Sequence, residues 1–65
     1  MMNEVTYINY LKSYVDNGIA VPKYIYDLSN KLNKINLYNE GIKYLRNGFS
    51  NYAKTILKSV GVSIN

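Results

Sequence analysis

A row of apolar residues in the second half of the chain constrains the fold more than any other feature. Its members follow one another at alternating steps of three and four residues. They are Ile35, Tyr38, Ile42, Leu45, Phe49, Tyr52 and Ile56. This spacing places them on one side of an α-helix. Because such a stripe is normally buried, the pattern predicts a helix that covers the row against the rest of the chain or against a second copy.

Two earlier segments show the same helical periodicity, so we expect an all-α fold. The first amphipathic helix is predicted over about 3–17, with Asn3 as its N-cap. Gly18 follows it, and glycine favours the left-handed conformation that ends many helices. The second helix is predicted over about 22–34, because Pro22 suits a first helical position.

The extent of the third helix is left open by the sequence. A helix over about 37–60 would be about 36 Å long at ~1.5 Å per residue. A compact domain of this size has a diameter under about 30 Å. Either the helix breaks at Gly48, or its excess packs on a second subunit. We favour one long helix kinked at Gly48, followed by a tail at 61–65, in a three-helix bundle. Four helices are the alternative if Gly48 breaks it.

The composition limits how this single small domain, residues 1–65, can be stabilised. A chain this short buries only roughly 60% of its unfolded surface. Cysteine and histidine are both absent, which removes disulfides and the usual zinc ligands. We therefore expect a homodimer without metal or cofactor. The lack of cysteine is typical of intracellular proteins, and no apolar run approaches the roughly 20 residues of a membrane span. We expect a cytoplasmic location.

The acidic residues do not suggest catalysis. Acid–base chemistry needs positioned titratable groups. The chain has four acids, and none of them pairs with another at a spacing of three or four. They are Glu4, Asp16, Asp27 and Glu40. Their positions fit helix ends, where acids interact with the helix dipole. We predict that the chain is not an enzyme.

A basic, amide-rich face on the third helix is the main candidate for function. Its residues lie away from the apolar row and include lysine, arginine and asparagine. They are Asn39, Lys43, Arg46, Asn47, Asn51, Lys54 and Lys58. Lysine and arginine neutralise phosphates, and asparagine can bond bidentately to adenine. Nucleic acid and an anionic protein surface are both candidate partners. A solvated face that keeps a small basic protein soluble explains the same pattern.

Two of the eight tyrosines lie on polar helix faces and are candidate partner contacts. Tyr26 and Tyr44 have this position. Four others have the helical spacing of core residues, with a base-stacking platform as the alternative. They are Tyr7, Tyr10, Tyr14 and Tyr24.

The sequence therefore predicts a small binding protein. The net charge of +4 favours an anionic partner, most simply a nucleic acid. The excess of Asn, Tyr, Lys and Ile, which make up 32 of 65 residues, is typical of short proteins from phages and mobile elements of AT-rich hosts. The alternatives are a protein-directed inhibitor or adaptor with an aromatic hot spot, and a peptide that binds membrane surfaces.

Overall fold

Residues 2–64, described by a computed structural model, form four α-helices and no strand, which confirms the all-α prediction for this part of the chain. α1 spans Glu4–Asp16, α2 spans Lys23–Asp27, α3 spans Lys34–Arg46 and α4 spans Ser50–Lys58. A 3₁₀ turn over Leu28–Lys31 continues α2. The radius of gyration is 10.5 Å, close to the ~11 Å of a compact chain of this length.

The second helix is shorter than the expected 22–34, and the break after it comes earlier than expected. α2 is α-helical only to Asp27, and the backbone is extended at Leu32. Asn33 then caps α3, because its Oδ1 accepts a hydrogen bond from the Asn36 N–H at 3.0 Å. Ile35 therefore belongs to the first turn of α3.

Two helices separated by a turn stand in place of the single helix expected over 37–60. Gly48 has a positive φ of 86°. Phe49 N–H donates to the Tyr44 carbonyl at 2.9 Å, and Gly48 N–H donates to the Leu45 carbonyl at 3.2 Å. This pair of bonds is the Schellman arrangement that ends a helix. The four-helix alternative, with the break at Gly48, is the one that residues 2–64 adopt.

α4 packs against α3 at the one position of α3 that offers no side chain. A Cβ on Gly41 would lie 2.7 Å from both Cγ and Cδ2 of Leu57. The approach is possible only because Gly41 is a glycine. Leu57 and Ile56 of α4 are fully buried.

The core is built mainly from α1 and α4, with single contributions from α2 and α3. Its fully or nearly fully buried apolar residues are Tyr7, Ile8, Leu11, Ile25, Leu37, Ala53, Ile56 and Leu57. Buried hydroxyls tie the elements together, since Tyr7 Oη donates to the Ile25 carbonyl at 2.8 Å and Ser29 Oγ donates to the Ser59 carbonyl. Burial raises the pKa of the Tyr7 phenol.

Most of the apolar row that opened the sequence analysis is not covered by the rest of the chain. Of the two predicted ways of burying it, the structure contradicts packing within the chain, and cover by a second copy stays a prediction. The exposed fraction is 73% for Ile35, 42% for Tyr38, 38% for Leu45 and 51% for Phe49. The reason is that α4 contacts α3 along the side of Gly41 and Leu37, roughly 100° around the helix from the part of the row on α3, at 100° per residue. Tyr24, expected on the buried face of the second helix, is also exposed.

Candidate partner-binding surface

Four of the predicted site residues meet on one side of α3. Asn39, Lys43, Arg46 and Asn47 line an open depression of about 500 Å³, together with Tyr38 and Ile42 of the apolar row. All four are exposed. We call these four residues the amide–basic face. It runs along a helix whose ends are fixed by the Asn33 cap and the Gly48 turn, so its spacing is held by the backbone.

The other half of the predicted basic row lies on a different helix. Asn51, Lys54 and Lys58 are exposed on α4, on the side away from the buried Leu57 and Ile56. The turn at Gly48 therefore divides the row that a continuous helix would have presented as one surface. Each half has to be treated as a separate surface.

The positive charges of the amide–basic face have no acidic partner within residues 2–64. The salt bridge in this part of the chain joins Lys23 to Asp27, at 3.0 Å between Nζ and Oδ2. Glu4 is engaged elsewhere, because its Oε2 accepts a hydrogen bond from the Asn33 N–H at 3.2 Å. Lys43 and Arg46 thus remain available to an external anion.

Tyr26 is half-buried and packs at the edge of the core. Its ring has the ammonium of Lys58 above it, with Nζ 5.5 Å from the ring centroid, which is a cation–π distance. Burial raises the pKa of the Tyr26 phenol. Tyr26 and Lys58, predicted separately as partner contacts, lie against each other and form an intramolecular contact between α2 and α4.

Tyr44 lies inside an aromatic cluster at the turn between α3 and α4. Its ring makes edge contacts with Phe49 and Tyr52, at centroid distances of 5.9 and 5.8 Å. Lys12 of α1 donates from Nζ to Tyr44 Oη at 3.2 Å and lies 5.2 and 5.1 Å from the Tyr44 and Tyr52 ring centroids. This cluster holds the turn against α1, so Tyr44 has a packing role that its position on a polar helix face did not indicate.

Hydrogen bonds in the same cluster change two proton affinities. The bond to Tyr44 raises the pKa of Lys12. Tyr52 Oη donates to Asp16 Oδ1, and this bond raises the pKa of the Tyr52 phenol. Both contacts favour the protonated forms that Lys12 and Tyr52 already have at neutral pH.

The four tyrosines with core spacing divide between the core and a second groove. Tyr7 is fully buried, whereas Tyr10 and Tyr24 are 42% and 68% exposed. Tyr10 and Tyr24 line an apolar groove of about 560 Å³ between α1 and α2. Tyr14 makes an edge contact with Tyr10 at 5.5 Å between centroids. A stacking platform that includes Tyr7 is therefore not formed.

The sequence failed to recognise one set of residues as surface. It is the part of the apolar row that lies on α3, here named the α3 apolar row, in which Ile42 is half-buried and the others are exposed: Ile35, Tyr38, Ile42 and Leu45. It borders the amide–basic face, and Tyr38 and Ile42 belong to the same depression as Arg46. The signal was visible as the spacing of three and four residues. The sequence alone did not reveal that α4 packs on another side of the helix, at Gly41.

The described residues show neither a metal site nor a membrane-spanning helix. Residues 2–64 contain no cluster of three or more acidic, histidine or cysteine residues that could hold a metal ion. No helix within the same range is both long and apolar enough to cross a membrane. Comparisons with known protein families, curated proteins and solved structures give no match.

Proposed function

We propose that this chain is a small non-enzymatic binding protein that docks the amide–basic face of α3 on a nucleic acid. The observation that carries the proposal is the set of side chains in one depression of α3. Lys43 and Arg46 lie beside Asn39 and Asn47 there. Neither cation forms a salt bridge within residues 2–64.

The chemistry of this face suits a phosphate backbone. Lysine and arginine neutralise phosphates, and the displaced counterions make binding depend steeply on salt. Asparagine adds donors and acceptors that can reach base edges. An α-helix of 13 residues is about 20 Å long at ~1.5 Å per residue, and a helix fits the major groove of duplex DNA.

A salt titration of duplex DNA binding tests the proposal. Two substitutions on the face, Lys43→Ala and Arg46→Ala together, remove two phosphate contacts. We expect the slope of log affinity against log salt to fall by about 2. Affinity at low salt should fall by at least about 10-fold.

The matched control is Lys23→Ala with Lys31→Ala, which lowers the net charge by the same two units from +4 at exposed positions outside α3. This variant should bind DNA within about threefold of wild type. Equal losses in the two double variants would show that net charge alone attracts DNA, and absence of wild-type binding at 50 mM salt would reject the proposal outright. Lys54→Ala with Lys58→Ala tests α4 separately, and we expect a smaller loss than for α3.

A further inference from the structure

The α3 apolar row is an uncovered surface with the geometry of a helix-binding seam. Ile35, Tyr38, Ile42 and Leu45 are separated by steps of 3, 4 and 3, the spacing with which one helix interlocks with another in a coiled coil. Ile35 is 73% exposed and Leu45 is 38% exposed. The row spans ten residue steps, about 15 Å along the axis at ~1.5 Å per residue.

The core-forming faces of α1 and α4 are engaged away from this row. α4 directs Ile56 and Leu57 into the core, and α1 does the same with Ile8 and Leu11. Contiguous exposed apolar surface on a small protein commonly marks an interaction site. A straight helical row of alternating three and four spacing is matched best by another helix.

The charges at the two edges of the row identify the kind of helix. At 100° per residue, Lys34 borders one edge and Arg46 borders the other. Glu40 is the one acid within α3, and it projects about 180° away from the mid-line of the row. Within α3, both edges of the row are therefore basic. Glu4 of α1 reaches the N-terminal end of α3, where its Oε2 accepts a hydrogen bond from the Asn33 N–H.

We propose that the α3 apolar row binds an amphipathic helix of another protein whose apolar stripe is flanked by glutamate or aspartate. Such a helix places carboxylates opposite Lys34 and Arg46 while its apolar residues cover Ile35, Tyr38 and Leu45. A second copy of this chain is the poorer fit, because it brings basic edges to basic edges. Charges at the flanking positions of a helical seam decide partner choice in this way.

The contact is small, which sets the affinity to expect. A standard interface buries about 800 Å² on each partner, and smaller ones are typical of transient complexes. A seam of four residues falls below that size. We therefore expect micromolar dissociation constants that weaken as salt rises, because the flanking ion pairs are exposed to solvent.

The test uses two synthetic helical peptides of three heptads each, labelled with a fluorophore. Both have leucine at the two seam positions of every heptad. One has glutamate at the flanking positions and the other has lysine, so each peptide repels its own copies. Fluorescence anisotropy against the intact chain measures binding. We expect the glutamate peptide to bind at least 10-fold more tightly than the lysine peptide.

Substitutions on the protein show whether the row is the site. Ile35→Ser with Leu45→Ser should weaken binding of the glutamate peptide at least 10-fold. The matched control is Ile19→Ser with Tyr24→Ser, at residues 58% and 68% exposed outside α3, and it should bind as wild type does. All four residues are on the surface, and circular dichroism verifies that both variants fold.

Three outcomes overturn the proposal: no binding of the glutamate peptide, equal binding of the two peptides, or equal losses in the row variant and its control. A wild-type dimer in sedimentation that becomes a monomer on Ile35→Ser with Leu45→Ser also overturns it, in favour of a second copy. The row variant retains Lys43 and Arg46, so duplex DNA binding should be unchanged. The two proposed functions therefore stand or fail separately.

Discussion

α1 and α3 share the same ends but differ in what they bury. Each has 13 residues and begins at an asparagine cap, Asn3 or Asn33. Each ends at an Asn-Gly pair whose glycine, Gly18 or Gly48, has positive φ. Every one of these features recurs at an offset of 30 residues in the sequence. α1 buries Tyr7, Ile8 and Leu11, whereas α3 buries only Leu37 and Gly41.

The difference shows that caps determine where a helix begins and ends, while side-chain volume determines what it packs against. At matching positions, α1 has Leu11 and α3 has Gly41. Leu11 fills the core with its own side chain. Gly41 leaves space that Leu57 of α4 occupies. Because α4 packs on that side of α3, it does not cover the α3 apolar row.

The largest effect should come from removing the side chain that α1 contributes at this matching position. Leu11 is fully buried, and Leu11→Ala should destabilise the fold by about 3–5 kcal/mol through lost burial and a cavity. For a domain this small, that is much of its total stability. Urea denaturation monitored by circular dichroism measures it. Leu45→Ala, at a residue 38% exposed, should cost less than about 1 kcal/mol. Equal costs would mean that Leu45 of α3 is buried as fully as Leu11 of α1.

Adding a side chain at the matching position of α3 should also destabilise. Alanine is the better helix former by about 1 kcal/mol, yet its Cβ would meet the buried Leu57 at 2.7 Å. Overpacking of this kind costs about 1–3 kcal/mol, so we expect a net loss from Gly41→Ala. The sign of the change is the result that matters. An increase in the free energy of unfolding would mean that α4 does not pack at Gly41.

The two helix ends should respond alike, because their geometry is the same. Gly18 and Gly48 have φ of 66° and 86°, and nothing lies within 4 Å of a Cβ at either position. Each glycine-to-alanine substitution should therefore cost only backbone strain, about 1–2 kcal/mol. Denaturant midpoints of the two variants give the comparison. A cost near zero for Gly48→Ala, accompanied by a rise in helix content, would indicate a continuous helix through position 48.

The smallest effect concerns Tyr7, the position of α1 that matches Leu37 of α3. Burial raises the pKa of Tyr7 above the ordinary value of 10.0, so the folded state binds this proton more tightly than the unfolded state. The contribution is complete below about pH 10 and is lost as the pH rises through the folded-state pKa. Tyr7→Phe should cost about 1 kcal/mol at pH 7 through the lost hydrogen bond.

The same variant should lose less stability than wild type between pH 9 and pH 11. The pKa values of Tyr14, Tyr26 and Tyr52 are also raised, and these phenols contribute equally to both proteins. Urea midpoints measured across this range give the two pH profiles. Parallel profiles would show that the Tyr7 phenol is not buried as described.

The sequence predicted the helical class and the role of Gly18 as a helix end. It did not predict that Gly48 also ends a helix or that Gly41 lets α4 approach α3. Gly48 follows asparagine as Gly18 does, but the apolar phase continues across it, which favoured one long helix. The spacing of the apolar row is the same whether that side of the helix is buried or exposed. Only the approach of Leu57 to Gly41 decides between them, and that contact joins residues 16 positions apart, beyond the reach of local patterns.

The candidate site was predictable residue by residue but not as a surface. Lys43, Arg46 and their neighbouring asparagines are exposed, in keeping with their polar helix face. Their separation from Lys54 and Lys58 follows from the turn. The packing of Tyr44 against Lys12 depends on the position of α1. Periodicity along α3 gives no information on that position.

The turn at Gly48 is the central claim, and one nuclear Overhauser measurement tests it directly. If α4 folds back on α3, the Gly41 Hα protons lie beside the Leu57 methyl groups, and we predict a strong cross-peak between them. In a continuous helix these residues would be about 24 Å apart at ~1.5 Å per residue, and no cross-peak would appear. Absence of this cross-peak, together with unbroken helical contacts through Asn47–Phe49, would contradict the turn at Gly48. The apolar row would then lie along one continuous helix.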